Sequence, residues 1–156
     1  MKIQIIAVGQ KMPNWVDTAY HEYAKRLPRQ QSVTLSCIAT AARHSGQSIT
    51  RNQQQEAEKI AKKIKPGSYL IALDEKGKQW TTSEWADQYR KWKQHTPDIN
   101  FVIGGPDGIE PALLKQANQT IALGRMTLPH GLARVVLIEQ IYRAWSVVEG
   151  HPYHRE

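Results

Sequence analysis

The amino-acid sequence predicts an α/β fold, a mostly parallel sheet with helices on both faces. Short apolar runs alternate with helix-patterned segments five times along the chain. Two of those runs, "YLIAL" and "FVI", are apolar without interruption, as central strands covered on both faces must be. No repeat or second unit interrupts the 156 residues, so the expectation is one domain over 1–156, long enough to bury a sizeable core.

The opening "KIQIIAVG" is β-branched and ends at Gly9, which reads as a strand. "MPNWVDTAYHEYAKRLP" follows with Pro13 near its start and apolar residues at helical spacing. "SVTLSCIAT" is a second strand, "AARHSGQ" a loop, and "SITRNQQQEAEKIAKKIKPG" a polar helix stopped by Pro66 and Gly67. "SYLIALD" is the third strand, with "EKGKQ" a turn before the amphipathic helix in "TTSEWADQYRKWKQ". After the strand "NFVIGG" come a short helix from Ile109 to Asn118, the strand "TIALG", and a last helix from Gly131 to Glu149. That helix carries two apolar stripes, Val135, Ile138, Tyr142 and Trp145 on one and Leu137, Ile141, Ala144 and Val148 on the other. One sheet face cannot cover both, so the stripes predict a second copy of the chain, the alternative being deep burial within one copy.

Lys and Arg number 21 against 14 Asp and Glu, a net charge of +7 and a pI near 9.6. This balance favours a polyanionic partner, nucleic acid first. Phosphate contacts are expected from Lys11, Lys25, Arg26, Arg29, Arg43, Arg51, Lys76 and Lys78. The single cysteine, Cys37, excludes an internal disulfide and lies on one face of a strand pattern as a small core residue. The first 20 residues lack a cationic start followed by an apolar core, and no apolar run approaches the ~20 residues of a membrane span. A cytoplasmic protein without an anchor is expected.

In such sheets ligands sit beyond the carboxyl ends of the strands, which points to Leu73 and Asp74, to Gly104 and Gly105, and to the segment after Ile121. "VIGGPDGIEP" follows a strand and opens a helix, yet it matches neither the dinucleotide fingerprint nor the phosphate loop. Asp107 and Glu110 lie near the helix start, where a phosphate would otherwise go, so pyrophosphate ligands and nucleotide-dependent redox chemistry are disfavoured and a cationic ligand is tolerated. The competing reading is a plain Gly-Pro turn capped by Asp107. "ALGRMTLPHGLARV" can offer backbone N–H and C=O groups to an adenine edge, with Leu123, Met126 and Leu128 flanking the ring.

The ordered set "ALDEKGKQW", "FVIGGPDG", "MTLPH", "EQIYRAWS" and the terminal "HPYHRE" resembles the small SPOUT-class methyltransferases of the RlmH (YbeA) type, from Met1 to Glu156. The resemblance implies a C-terminal deep trefoil knot, a homodimer, and methylation of N3 of a pseudouridine in a large-subunit (23S) ribosomal RNA hairpin on the assembled ribosome. It implies a pocket for the donor S-adenosylmethionine at Leu73, Gly104, Leu123, Gly124, Arg125, Met126, Thr127 and Leu128. A non-catalytic ribosome-binding factor of the same fold is the alternative.

A chain end is ordinarily a bland, charged fringe, whereas this one is aromatic, titratable and cationic. Its expected work is to close over the donor and meet the target base, on the partner's pocket. Arg155 then contacts a carbonyl or phosphate, Tyr153 packs or stacks, and His154 accepts or orients a proton. Arg143 joins these candidates, although Glu139 four residues earlier offers an ion pair as an equal explanation. His130, His151 and His154 lack acidic or cysteine companions at a metal-binding spacing, and no metal is expected.

Overall fold

The computed structural model describes residues 1–42, 46–96 and 98–154. Five strands, β1 (Lys2–Val8), β2 (Val33–Ile38), β3 (Tyr69–Gln79), β4 (Asp98–Ile103) and β5 (Gln119–Ala122), form one sheet in the order β2-β1-β4-β3-β5. Every pairing is parallel. Five helices, α1 (Asn14–Ala24), α2 (Ile49–Ala61), α3 (Thr82–His95), α4 (Pro111–Gln116) and α5 (His130–Glu149), fill the connections, with a 3-10 turn at Arg29–Gln31.

The period-2 alternation of the strands divides the core in two. Ile3, Ile5 and Ala7 of β1, Ile71 of β3, and Ile99, Phe101 and Ile103 of β4 face α1, α3 and α5. Ile6, Val8, Leu70, Ala72 and Val102 face α2 and α4 through Ala57, Ile60 and Leu113. The layers are therefore helix, sheet and helix, as the alternation predicted. Trp85 and Trp92 of α3 surround Phe101 at ring separations of 6.1 and 5.8 Å, which anchors α3 over the middle of the sheet. Thr81 and Glu84 close the start of α3 with reciprocal bonds of 3.1 and 2.7 Å, which satisfy two backbone N–H groups that the helix geometry leaves bare.

Two elements differ from the sequence expectation. The predicted turn at residues 75–79 belongs to β3, whose register against β5 shifts between Leu73 and Lys78 so that both pair with Ile121. The residues between them bulge out of the ladder within β3, and a Cβ on Gly77 would lie 2.5 Å from the Ile121 carbonyl carbon. Only glycine lets the bulge lie flat on β5. Helix α4 is shorter than expected because its backbone turns extended at Glu110 and again at Ala117.

Helix α5 packs against α1 and α3 on one sheet face, and Leu137, Ile138, Ile141, Tyr142 and Ala144 of its two stripes are buried. Val135, Trp145 and Val148 of the same stripes stay half-exposed, as do Leu132, Val136, Glu139, Gln140, Arg143 and Val147. This half-exposed surface is where a second copy of the chain would seat.

Candidate functional site

The carboxyl ends of β3, β4 and β5 open onto a cavity of about 610 Å³, within the range of small-molecule sites. Its floor is apolar, from Leu73, Ile103, Ile121 and Ala122. The β3 bulge supplies Asp74, Glu75 and Lys76, and the β4–α4 loop supplies Gly104 to Ile109. The β5–α5 segment completes the wall with Leu123, Gly124, Met126, Thr127, Leu128, Pro129 and His130.

Seven of the eight residues expected for the donor therefore line one cavity, and Arg125, which is exposed, does not. Met126 is 80% exposed, a large apolar side chain standing at the mouth with little of the chain against it. Gly104 has a steric reason: a Cβ there would come within 2.8 Å of both the Gly108 carbonyl carbon and Ile109 Cγ1. The loop doubles back tightly, with Gly108 at φ +78 and its N–H donating 3.0 Å to the Gly105 carbonyl. Asp107 does not cap α4. Gln53 Nε2 donates 2.7 Å to its carbonyl and Asn52 Nδ2 lies 3.4 Å from its carboxylate, so α2 pins the loop from behind. Glu110 stands at the α4 start without a side-chain cap bond.

Gln53 lines the cavity although strand-end reasoning did not reach it, and His130 belongs to the segment after Ile121 to which that reasoning pointed. Gln53 lies far off in sequence on a polar helix whose pattern gave no sign. His130 follows Pro129 at the first position of α5. Burial, and then the Arg134 guanidinium, lowers its pKa. Arg134 itself is 1% exposed and donates to the carbonyls of Val8 and Gly9 at 3.3 and 2.5 Å, with Cys37 Sγ at 3.5 Å. Among the described residues no carboxylate pairs with it, and its buried Nε finds no partner.

The tail lies elsewhere. Gly150 at φ +70 ends α5 in a left-handed cap, with the His151 N–H donating 2.9 Å to the Ser146 carbonyl, and the chain turns back along the helix. The Tyr153 ring packs 4.5 Å from that of Tyr142, and its hydroxyl donates 3.0 Å to Glu139 Oε1, which also accepts from Arg143. Burial first, then Glu139, pushes the Tyr153 phenol up to about 12. The Arg26 and Arg143 guanidinium groups stand 5.8 and 5.0 Å from the same ring. His154 Nδ1 is 3.2 Å from Ser146 Oγ. Tyr153, His154 and Arg143 thus gather at one end of α5 while the cavity sits at the other; Arg155 lies outside the described residues. His154 is held at Ser146, 16 residues beyond His130 or about 24 Å along a helix, whereas Tyr153 reaches back to Glu139, nine residues or about 14 Å beyond it. None of the described tail residues lines its own chain's cavity.

Of the residues expected to meet phosphate, Lys76 enters the cavity wall, while Lys25 and Arg26 pair with Glu22 at 2.8 and 2.9 Å. Arg43 lies outside the described residues. Among the described residues no helix is long and apolar enough to cross a membrane, and no three His, Cys, Asp or Glu side chains gather in metal-binding fashion.

A family described as "Predicted SPOUT methyltransferase" matches residues 1–154. Proteins called "Ribosomal RNA large subunit methyltransferase H" align from end to end: that of Hydrogenovibrio crunogenus is 45% identical over 156 residues, covering 100% of both chains. Those of Nitrosococcus oceani and Hahella chejuensis are 46% identical over 155 residues, at 99% coverage of both, and 42% identical over 156, at 100%. With the family match and this identity sustained along the whole chain, and with a cavity where a parallel sheet places its ligands, the chain belongs to the SPOUT methyltransferase family and is an enzyme of methyl transfer.

Proposed function

We propose that the whole chain acts as a single methyltransferase domain in the cytoplasm, methylating N3 of a pseudouridine in a large-subunit ribosomal RNA hairpin on the assembled ribosome. The donor is S-adenosylmethionine and the working unit is a homodimer. The observation that carries this reading is the cavity. Its apolar walls suit an adenine ring and a thioether chain, and Asp74, Glu75 and Asp107 suit a cation while disfavouring a phosphate. The names of the end-to-end relatives supply the RNA substrate.

When bound, S-adenosylmethionine supplies a methyl group on a positively charged sulfur that is its own leaving group. The protein's task is then alignment and loss of the acceptor's proton. Backbone groups of residues 123–128 would hold the adenine edge, with Leu123, Met126 and Leu128 flanking the ring, and Gly104 would let the β4–α4 loop approach closely. The tail docks on α5 through Tyr153 at Glu139 and His154 at Ser146, away from its own cavity. Its contribution of Tyr153, His154 and Arg155, with Arg143 beside them, goes to the partner's cavity, where a cationic group near the imide carbonyls stabilises the deprotonated base. The half-exposed surface of α5 is the natural seat for that partner. The deep trefoil knot at the carboxyl-terminal end belongs to the same proposal.

Radiolabelled methyl transfer to intact ribosomes, separated subunits and naked RNA tests the substrate, and calorimetry tests the donor. Labelling of intact ribosomes alone, with donor binding, is expected. Equal labelling of the free hairpin would refute the requirement for assembly.

A further inference from the structure

The geometry points to His130 as a catalytic residue, the proton acceptor for the target base, supplied by the chain whose cavity holds the donor. The inference rests on the donor and acceptor of the proposed function and moves the proton-acceptor role to His130 from His154, which was expected to accept or orient a proton.

Among the described residues lining the cavity His130 is the only imidazole, and it stands at the boundary between the cavity and the β1–α1 turn. The point a Cβ on Gly9 would occupy is 3.6 Å from His130 Nε2 and 3.2 Å from Arg134 Nη2, so imidazole and guanidinium share one side of that turn. Arg134 is anchored by the carbonyls of Val8 and Gly9 and cannot swing away. A fixed, buried, unneutralised cation beside the ring, together with burial, keeps the imidazole in the uncharged form that can accept a proton. The other charged groups around it are Asp74, Glu75 and Lys76 from the β3 bulge and Asp107 from the β4–α4 loop. His154, by contrast, is engaged by Ser146 at the far end of α5.

The step balances without a further reactant. The N3 proton passes to a ring nitrogen of His130, and the electron pair left on N3 forms the bond to the methyl carbon. The carbon–sulfur bond breaks with its pair kept by sulfur. One positive charge leaves sulfur and one appears on the imidazolium, within a cavity that already carries carboxylates.

Three measurements on wild-type enzyme and on His130→Gln test this. Single-turnover methylation of ribosomes is expected to fall about 100-fold or more, with loss of the acidic limb of the pH–rate profile. Donor affinity by calorimetry is expected to stay within about twofold. In histidine-labelled free protein, the His130 ring is expected to titrate below the ordinary value of 6.5 by nuclear magnetic resonance. An unchanged rate, a loss of donor affinity as large as the loss of rate, or an acidic limb that disappears in His154→Gln and persists in His130→Gln would overturn the assignment. Wild-type protein that binds no donor would instead overturn the proposed function, so the two failures are distinguishable.

Discussion

Gly104 shows how a single absent side chain shapes the cavity. A Cβ there meets backbone on one side and Ile109 on the other at 2.8 Å, and neither can yield without moving the β4–α4 loop. Gly104→Ala is expected to lower stability by about 1–3 kcal/mol in thermal unfolding, and to weaken donor binding in calorimetry by at least tenfold. Tyr153 carries the pH dependence of the tail. Its phenol is raised from 10.0 to about 12 by burial first, and then because ionisation would place a second anion beside Glu139. The docked tail is therefore fully stabilised below pH 10 and loses that stabilisation as pH climbs through about 12. Burial raises the phenols of Tyr20, Tyr69 and Tyr89 as well, so the Tyr153 ring is followed by nuclear magnetic resonance in tyrosine-labelled protein, where its titration should shift earlier in Glu139→Gln.

At the scale of elements, α3 and α5 offer separable tests. Thr81→Ala removes one half of the capping box and should cost about 1 kcal/mol, read in chemical denaturation, with donor affinity unchanged since no α3 residue lines the cavity. Ile138, fully buried where α5 meets the sheet, should cost about 2–5 kcal/mol when cut to Ala. The sequence made these elements readable where periodicity was clean: every strand and helix was anticipated, and strand ends led directly to Leu73, Gly104 and the segment after Ile121. Periodicity failed at residues 75–79, whose glycine and charges read as a turn. There the decisive contact is Gly77 on the Ile121 backbone, a non-local packing fact absent from any local pattern. Gln53 escaped for the same reason, brought to the cavity by the fold rather than by a motif.

For the whole molecule, the separation of tail and cavity makes a strong prediction about how two copies cooperate. A chain lacking residues 151–156 should be inactive alone, and a Gly104→Ala chain nearly inactive at donor concentrations that leave its weakened site unfilled. Mixed and allowed to exchange, they should recover about one quarter of wild-type activity, since random pairing gives half hybrids with one complete centre each. No recovery would show that tail and cavity of the same chain work together. Ribosome binding should weaken steeply with salt, in line with a net charge of +7. The long helix that joins cavity to tail also acts as a measuring rod. One residue inserted into α5 lengthens it by about 1.5 Å and turns everything beyond by about 100°. In a two-fold pair that error is made at both centres together, so the span between them can drift only if the opposing surface changes in concert.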